Sequence, residues 1–353
     1  MKPFALLPAI LFACSCVLPN CAFAGSATWN LNSTSGDSDT AANWKPATVP
    51  NSPSDNATFA PPIGAQPPGA LPSIESFRVG RLPWGVAFDG GNIWVRSSYT
   101  DTVTKLRASD GANLGTYPTG GTGYYLAFDG SNIWLSNFYI AKVTKLRASD
   151  GVMLGSFAVG QFPGGVMFDG TYVWVANRDE DTVTKLRPSD GAVLGTYDAP
   201  GGPWELAYDG ANIWVTGYYE AKVSKLRADD GTLVGTFPVG NEPQGIVFDG
   251  FSIWVANYID FTLTKLRASD GLLQGTVPVG ILPVDLAFDG AHVWVTVENE
   301  DSVKRLGQTN GNTQHKYRIG HGPKGVVFDG TSIWVANIGS DTVSKITRKP
   351  HDY

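Results

Sequence analysis

The chain repeats itself every forty residues. An aromatic-Asp-Gly triplet marks the period, with aspartates at Asp89, Asp129, Asp169, Asp209, Asp249, Asp289 and Asp329. Five residues after each stands a tryptophan: Trp94, Trp134, Trp174, Trp214, Trp254, Trp294 and Trp334. A fixed period of this length means that one supersecondary unit is stacked many times. The third unit shows its content. Residues 164–168 are apolar, Asp169-Gly170 marks a turn, and residues 172–176 are β-branched and aromatic. Residues 182–187 alternate, Ser189-Asp190-Gly191 turns again, and residues 193–197 form a last strand. No part of the unit carries a helical period.

Four antiparallel strands per unit, repeated radially, predict an all-β seven-bladed β-propeller. The seventh unit stops after its third strand, at about residue 348. A replacement for its fourth strand stands at the other end of the repeats. Ser76-Phe77-Arg78-Val79-Gly80 matches Lys316-Tyr317-Arg318-Ile319-Gly320, the fourth strand of the sixth unit. The sequence therefore predicts that residues 73–79 complete the last blade, closing the ring and removing its free edges.

Outside residues 73–348 the composition changes. Residues 1–24 read as a secretory leader, with Lys2, an apolar run from Phe4 to Val17, and a small-residue site ending at Ala24. Lipid attachment at Cys14 is the alternative. All three cysteines lie in this leader, so the processed chain is expected to have no disulfide and to be secreted or periplasmic. The apolar run is too short for a transmembrane helix. Residues 25–60 are a polar extension with room for small β-hairpins, residues 61–72 hold five prolines and read as a linker, and residues 349–353 are a tail. The net charge of −6 argues against a nucleic-acid partner. Nothing in the pattern calls for a partner copy, so a monomer is expected.

The string IWVANYIDFTLTKLRASDG, followed by VPVG, resembles the YVTN-type propeller repeat and is similar to NHL and streptogramin-lyase-like propellers. This resemblance implies the propeller fold over residues 73–348. It does not single out a function, because propellers of these types include surface-layer proteins, binding scaffolds and lyases. The lyase resemblance implies a histidine and a carboxylate at one mouth of the ring. Of His292, His315, His321 and His351, only His321 stands in a loop that reaches that mouth.

The units differ from one another mainly in two loops that fall on one face. The loops entering each unit read RLPW, GTGY, QFPG, GGPW, NEPQ, ILPV and HGPK. Those between second and third strands read SYTD, FYIA, RDED, YYEA, YIDF, ENED and IGSD. Variation on a rigid scaffold suits recognition, and exposed loops also drift neutrally. Aromatic residues crowd this face: Trp84, Tyr99, Tyr124, Tyr125, Phe138, Tyr139, Phe162, Trp204, Tyr218, Tyr219, Tyr258 and Phe261. Platforms of this kind suit a peptide, a glycan or another protein. The residue at the start of each first strand is Gly85, Tyr125, Gly165, Glu205, Gly245, Asp285 or Gly325. Glu205 and Asp285 are thus candidates for the channel mouth, as a cation site or an acid–base pair, or as two hydrated acids.

The ten basic residues of the third strands, Lys105, Arg107, Lys145, Arg147, Lys185, Arg187, Lys225, Arg227, Lys265 and Arg267, read as a solvated face paired with acidic turns. No nucleophile elbow, phosphate loop or metal-binding motif is present, so no metal and no cofactor is expected. The reading that follows is an exported recognition scaffold acting through the aromatic, acidic loop face. The alternatives are a lyase or hydrolase at the channel mouth, and a surface-layer or matrix component.

Overall fold

The computed structural model describes residues 28–29, 44–45 and 73–347. The leader, the linker at 61–72 and the tail lie outside the described residues. In the N-terminal unit, Thr28–Trp29 pairs antiparallel with Trp44–Lys45. The second unit is the propeller. Seven four-stranded antiparallel sheets follow one another, each built from consecutive strands except the last. The last sheet joins Pro323–Phe328, Ser332–Asn337 and Thr342–Thr347 to Ile74–Arg78, as the sequence predicts. No helix among the described residues is long and apolar enough to cross a membrane.

Each blade is held by the same polar construction around its tryptophan. The aspartate of the marker triplet accepts turn amides through Oδ1 and the indole N–H through Oδ2; Asp89 takes Trp94 Nε1 at 2.8 Å. The same bond recurs in the other six blades at 2.7–2.8 Å. An aspartate bonding its own backbone two and three residues on is a turn former, and here it also satisfies a buried donor. All seven indoles are buried between blades, so they are core and not a ligand cage. In six blades a phenyl or phenol ring of the fourth strand packs on the indole. In the last blade that ring is Phe77, 5.6 Å from Trp334, so the N-terminal strand supplies packing as well as edge pairing.

The third-strand lysines are not solvated, which corrects the sequence reading. Lys105, Lys145, Lys185, Lys225, Lys265 and Lys345 are buried or nearly so, each with its ammonium over the tryptophan of its own blade at 4.8–5.3 Å. Each then donates to two backbone carbonyls in the Ser-Asp-Gly turn of the next blade, or its equivalent; Lys105 reaches Ala148 O at 2.6 Å and Ser149 O at 3.3 Å. The cation is long enough to cross the cleft between blades, and turn carbonyls there would otherwise lack donors. The arginines behave as expected. Arg107, Arg147, Arg187, Arg227 and Arg267 are exposed and pair with Asp110, Asp150, Asp190, Asp229 and Asp270.

The innermost strands carry the feature that shapes the axis. In six of the blades the pairing of first and second strands slips after the opening proline, as between Pro83 and Val86. Such a bulge re-aims the skipped residues. Residues 84–85 and their equivalents thereby turn to the mouth and the lumen. The inner backbones also come very close: a Cβ on Gly325 would lie 2.5 Å from Trp84 O, and one on Gly245 would lie 2.6 Å from Val284 O.

Candidate functional site

Two layers of side chains occupy the variable end of the channel. The lower layer lines a cavity of about 210 Å³ on the axis. Its polar side chains are Tyr125, Glu205 and Asp285, from blades two, four and six. Between them the lining is bare, with Gly85, Gly165 and Gly325, and blade five carries Gly245 at the equivalent position. The remaining lining side chains are uncharged, with Val86, Leu126, Val166, Leu206, Leu286 and Val326 among them.

Glu205 and Asp285 meet in the lumen and have different environments. Asp285 Oδ1 accepts the amide of Leu286 at 2.7 Å and Oδ2 accepts that of Val326 at 2.8 Å. These donors favour its ionised form, yet burial outweighs them and pushes its carboxyl up to about 6. Glu205 is raised well above the carboxylate range by burial, by the Asp285 charge, and by a hydrogen bond to Asp285 that keeps its proton. Its Oε2 is shut off from bulk water and has no hydrogen-bond partner. Burial of the two acids side by side favours retention of a proton by the pair, and the two backbone amides on Asp285 favour its ionised form. The Tyr125 hydroxyl is also raised, by burial and then by both acids. The two carboxylates keep some exposure, all of it to the lumen.

Above this ring lies a cluster of aromatic rings. Trp84 and Tyr124 meet at 4.7 Å with their planes tilted by 55°, Tyr124 meets Phe138 at 5.0 Å, and Trp204 meets Tyr218 at 5.6 Å. Phe162 and Tyr139 pack on Phe138. The guanidinium of Arg178 sits over Phe138 at 4.7 Å and over Phe162, Trp204 and Tyr219 at 5.4–5.8 Å. On the far side of the mouth the bonds are ionic. Tyr258 donates to Glu298, and Lys324 pairs with Glu298 while lying 4.5 Å from the Trp84 ring. Tyr218 donates to Glu242 at 2.8 Å.

The twelve aromatic candidates therefore divide. Phe138 and Trp204 are buried, and Tyr125 belongs to the lumen. Trp84, Tyr124, Phe162, Tyr218 and Tyr258 are partly covered and form the supporting layer. Tyr99, Tyr139 and Tyr219 stand out at 61%, 64% and 61% exposure, at one equivalent loop position in blades one, two and four. Phe261 is exposed but belongs to a different loop position. His321 does not join Glu205 and Asp285. It is 78% exposed at the rim, with Nδ1 2.8 Å from Asp301 Oδ2. That aspartate also accepts the amide of Gly322, as Asp181 accepts Gly202 and Asp341 accepts Leu82, so the contact follows a repeated loop brace.

Sequence reading passed over Arg178, Lys324 and Arg96. Arg96 is wholly buried where the other units carry Ser, Ala or Thr, such as Ser136 and Ala176. It donates to Gly121 O at 2.6 Å, to Gly123 O at 3.3 Å and to Asn137 Oδ1 at 3.0 Å. Burial lowers its pKa to about 9, against the raising effect of Asp101. The second blade lacks the opening proline, and its inner strand shrinks to Leu126–Phe128. Arg96 holds the irregular loop that results, and with it Tyr124 and Tyr125. Comparing the units column by column would have exposed this residue.

Among the described residues no group of three or more His, Cys, Asp or Glu side chains is placed to hold a metal ion. No protein-family model matches the chain, and no curated protein matches it in sequence. Solved structures match it in shape. Virginiamycin B lyase from Staphylococcus aureus superposes with a TM-score of 0.70 at 17% identity, covering 79% of this chain and all of that one. A catalytically inactive variant of that enzyme with quinupristin gives 0.67 at 18%, over 79% of this chain and 100% of its own. Hydrazine synthase of Kuenenia stuttgartiensis gives 0.68 at 17%, over 77% of this chain and 97% of its own. Identities this low establish the fold alone: a seven-bladed propeller whose structural neighbours include streptogramin lyases.

Proposed function

We propose that this chain is an exported recognition module whose ligand, a peptide, a glycan or an envelope protein, rests on the variable face. One observation carries the reading. Tyr139 and Tyr219 project above a layer of packed rings braced by Arg178, and Tyr99 projects from the equivalent position of blade one under Arg81. Side chains held this firmly lose little freedom on binding, and tyrosine offers both a face and a hydroxyl. The leader read from the sequence would place this face outside the cytoplasm. The test is binding of the full chain to arrays of envelope glycans and peptides, beside a Tyr99→Ala/Tyr139→Ala/Tyr219→Ala variant. Binding by the parent and a loss of at least tenfold in the variant supports the reading; equal binding rejects it.

A lyase or hydrolase is the second reading. It rests on the likeness to virginiamycin B lyase and on the His321–Asp301 pair at the rim. Turnover of a streptogramin that is abolished by His321→Ala would favour it over simple recognition.

A further inference from the structure

We propose that the axial cavity is a binding site for a small primary ammonium ion with a short apolar tail, separate from the tyrosine face above it. The argument starts from geometry. Three oxygen-bearing side chains, Tyr125, Glu205 and Asp285, enter one lumen from alternate blades, and the glycines between them leave the centre open. A primary ammonium presents three N–H donors in a fork around its C–N axis. Three acceptors disposed around a channel axis answer that arrangement, which a planar guanidinium would not fill.

The second observation is that the ring is incomplete as it stands. Glu205 Oε2 is buried and has no partner. A buried polar atom left unpaired is unfavourable, and a ligand donor that draws the Glu205 carboxyl toward the lumen removes that penalty. The third is that the other side chains at the cavity, such as the aliphatic Val86, Leu126 and Leu206, add no further charge. The cavity, at about 210 Å³, exceeds the ~150 Å³ that accommodates a benzene-sized molecule. A divalent cation fits less well, because it needs six or more oxygen ligands and two carboxylates supply few of them. No covalent step is involved. Binding replaces the proton retained by the Glu205–Asp285 pair with an N–H donor, and that proton passes to the buffer.

The experiment uses the full chain, with benzylammonium as probe and benzyl alcohol as its neutral isostere, by titration calorimetry at pH 7. The site predicts that benzylammonium binds at least tenfold more tightly than the alcohol. It also predicts that heats measured in two buffers of different ionisation enthalpy reveal proton release. Glu205→Gln, which keeps the shape, should lower benzylammonium affinity at least tenfold and leave the alcohol unchanged. Tyr125→Phe provides an independent variant should the first fail to fold, with an expected loss of about threefold to tenfold, as for one hydrogen bond. Equal affinity for amine and alcohol, no heat with either, or amine binding untouched by both variants overturns the proposal. Because the tyrosine face is not altered, its ligand binding would survive any of these outcomes.

Discussion

The ammonium of Lys345, in the last blade, donates to the backbone carbonyl of Ala108, in the first, at 2.8 Å. The two residues are 237 positions apart, and their bond repeats the link that joins every earlier pair of lysine-bearing blades to its neighbour. The ring is thus closed twice, by the borrowed strand Ile74–Arg78 and by this lysine.

Replacing Lys345 by methionine tests the second closure. Methionine keeps an apolar stem against Trp334 and leaves the carbonyls of Ala108 and Ser109 without their donor. A charged hydrogen bond of this kind contributes about 1.5–3 kcal/mol. Lys345→Met should lose that much stability by denaturant titration, and Lys185→Met should lose about the same. A Lys345 effect near zero would show that strand exchange alone closes the ring.

The aspartate–tryptophan bond is open to a similar test. In Asp169→Asn the charged acceptor of Trp174 becomes a neutral amide, while the turn keeps its length. The expected cost is about 1–2 kcal/mol. It is read as a lower denaturation midpoint with an unchanged m-value; no loss would mean that the turn glycine, not the aspartate, determines the local geometry.

Arg96 should matter more to one loop than to the whole fold. Arg96→Ala removes the guanidinium donor from the Gly123 carbonyl and the Asn137 side-chain oxygen in a dry site, and leaves Gly121 O with the Thr119 hydroxyl alone. The expected destabilisation is about 3 kcal/mol. Hydrogen exchange should accelerate across residues 119–126 before it does so elsewhere. Arg96→Lys should not restore protection, since an ammonium cannot reproduce a fork that reaches three acceptors.

The lumen acids predict a pH dependence with a definite sign. Both are raised in the folded chain, so over the window from about pH 4, where the unfolded carboxylates titrate, to about pH 6 the folded state binds more protons. Stability from this pair is therefore present at low pH and is lost as pH rises through that window, continuing higher for Glu205. Glu205→Gln should flatten this part of the stability–pH curve. A wild-type curve that rises from pH 4 to 7 by as much as the variant's would contradict the assignment.

Much of the scaffold could be read from the repeats. The triplet aspartates, the tryptophans and the turn glycines recur because each blade solves the same packing problem, so the period reports them directly. The strand at Ile74–Arg78 was legible because Phe77 must resemble Tyr317 and Tyr117 to pack on the same indole. The lysines were misread for a local reason: an alternating strand signals exposure, but the partner that buries Lys105 lies in the next blade, 43 residues on. The site was harder still. Glu205 and Asp285 could be picked out as the two carboxylates in a column otherwise of glycines and Tyr125, and their meeting depends on bulges that periodicity does not show. Arg178 gave no signal, because its partners Phe138, Phe162, Trp204 and Tyr219 come from three blades.

Seven is an odd number, and the lumen cannot hide it. Bulky and bare positions alternate around the axis, but an odd cycle cannot be two-coloured, so two bare positions must fall side by side. They are Gly325 and Gly85, whose strands approach until a Cβ on the first would lie 3.1 Å from the Cα of the second. This is also where the two ends of the propeller sequence are joined. The parity defect and the seam coincide, so the channel has one side unlike all others, and anything seated on the axis meets an oriented surface in place of a symmetric one.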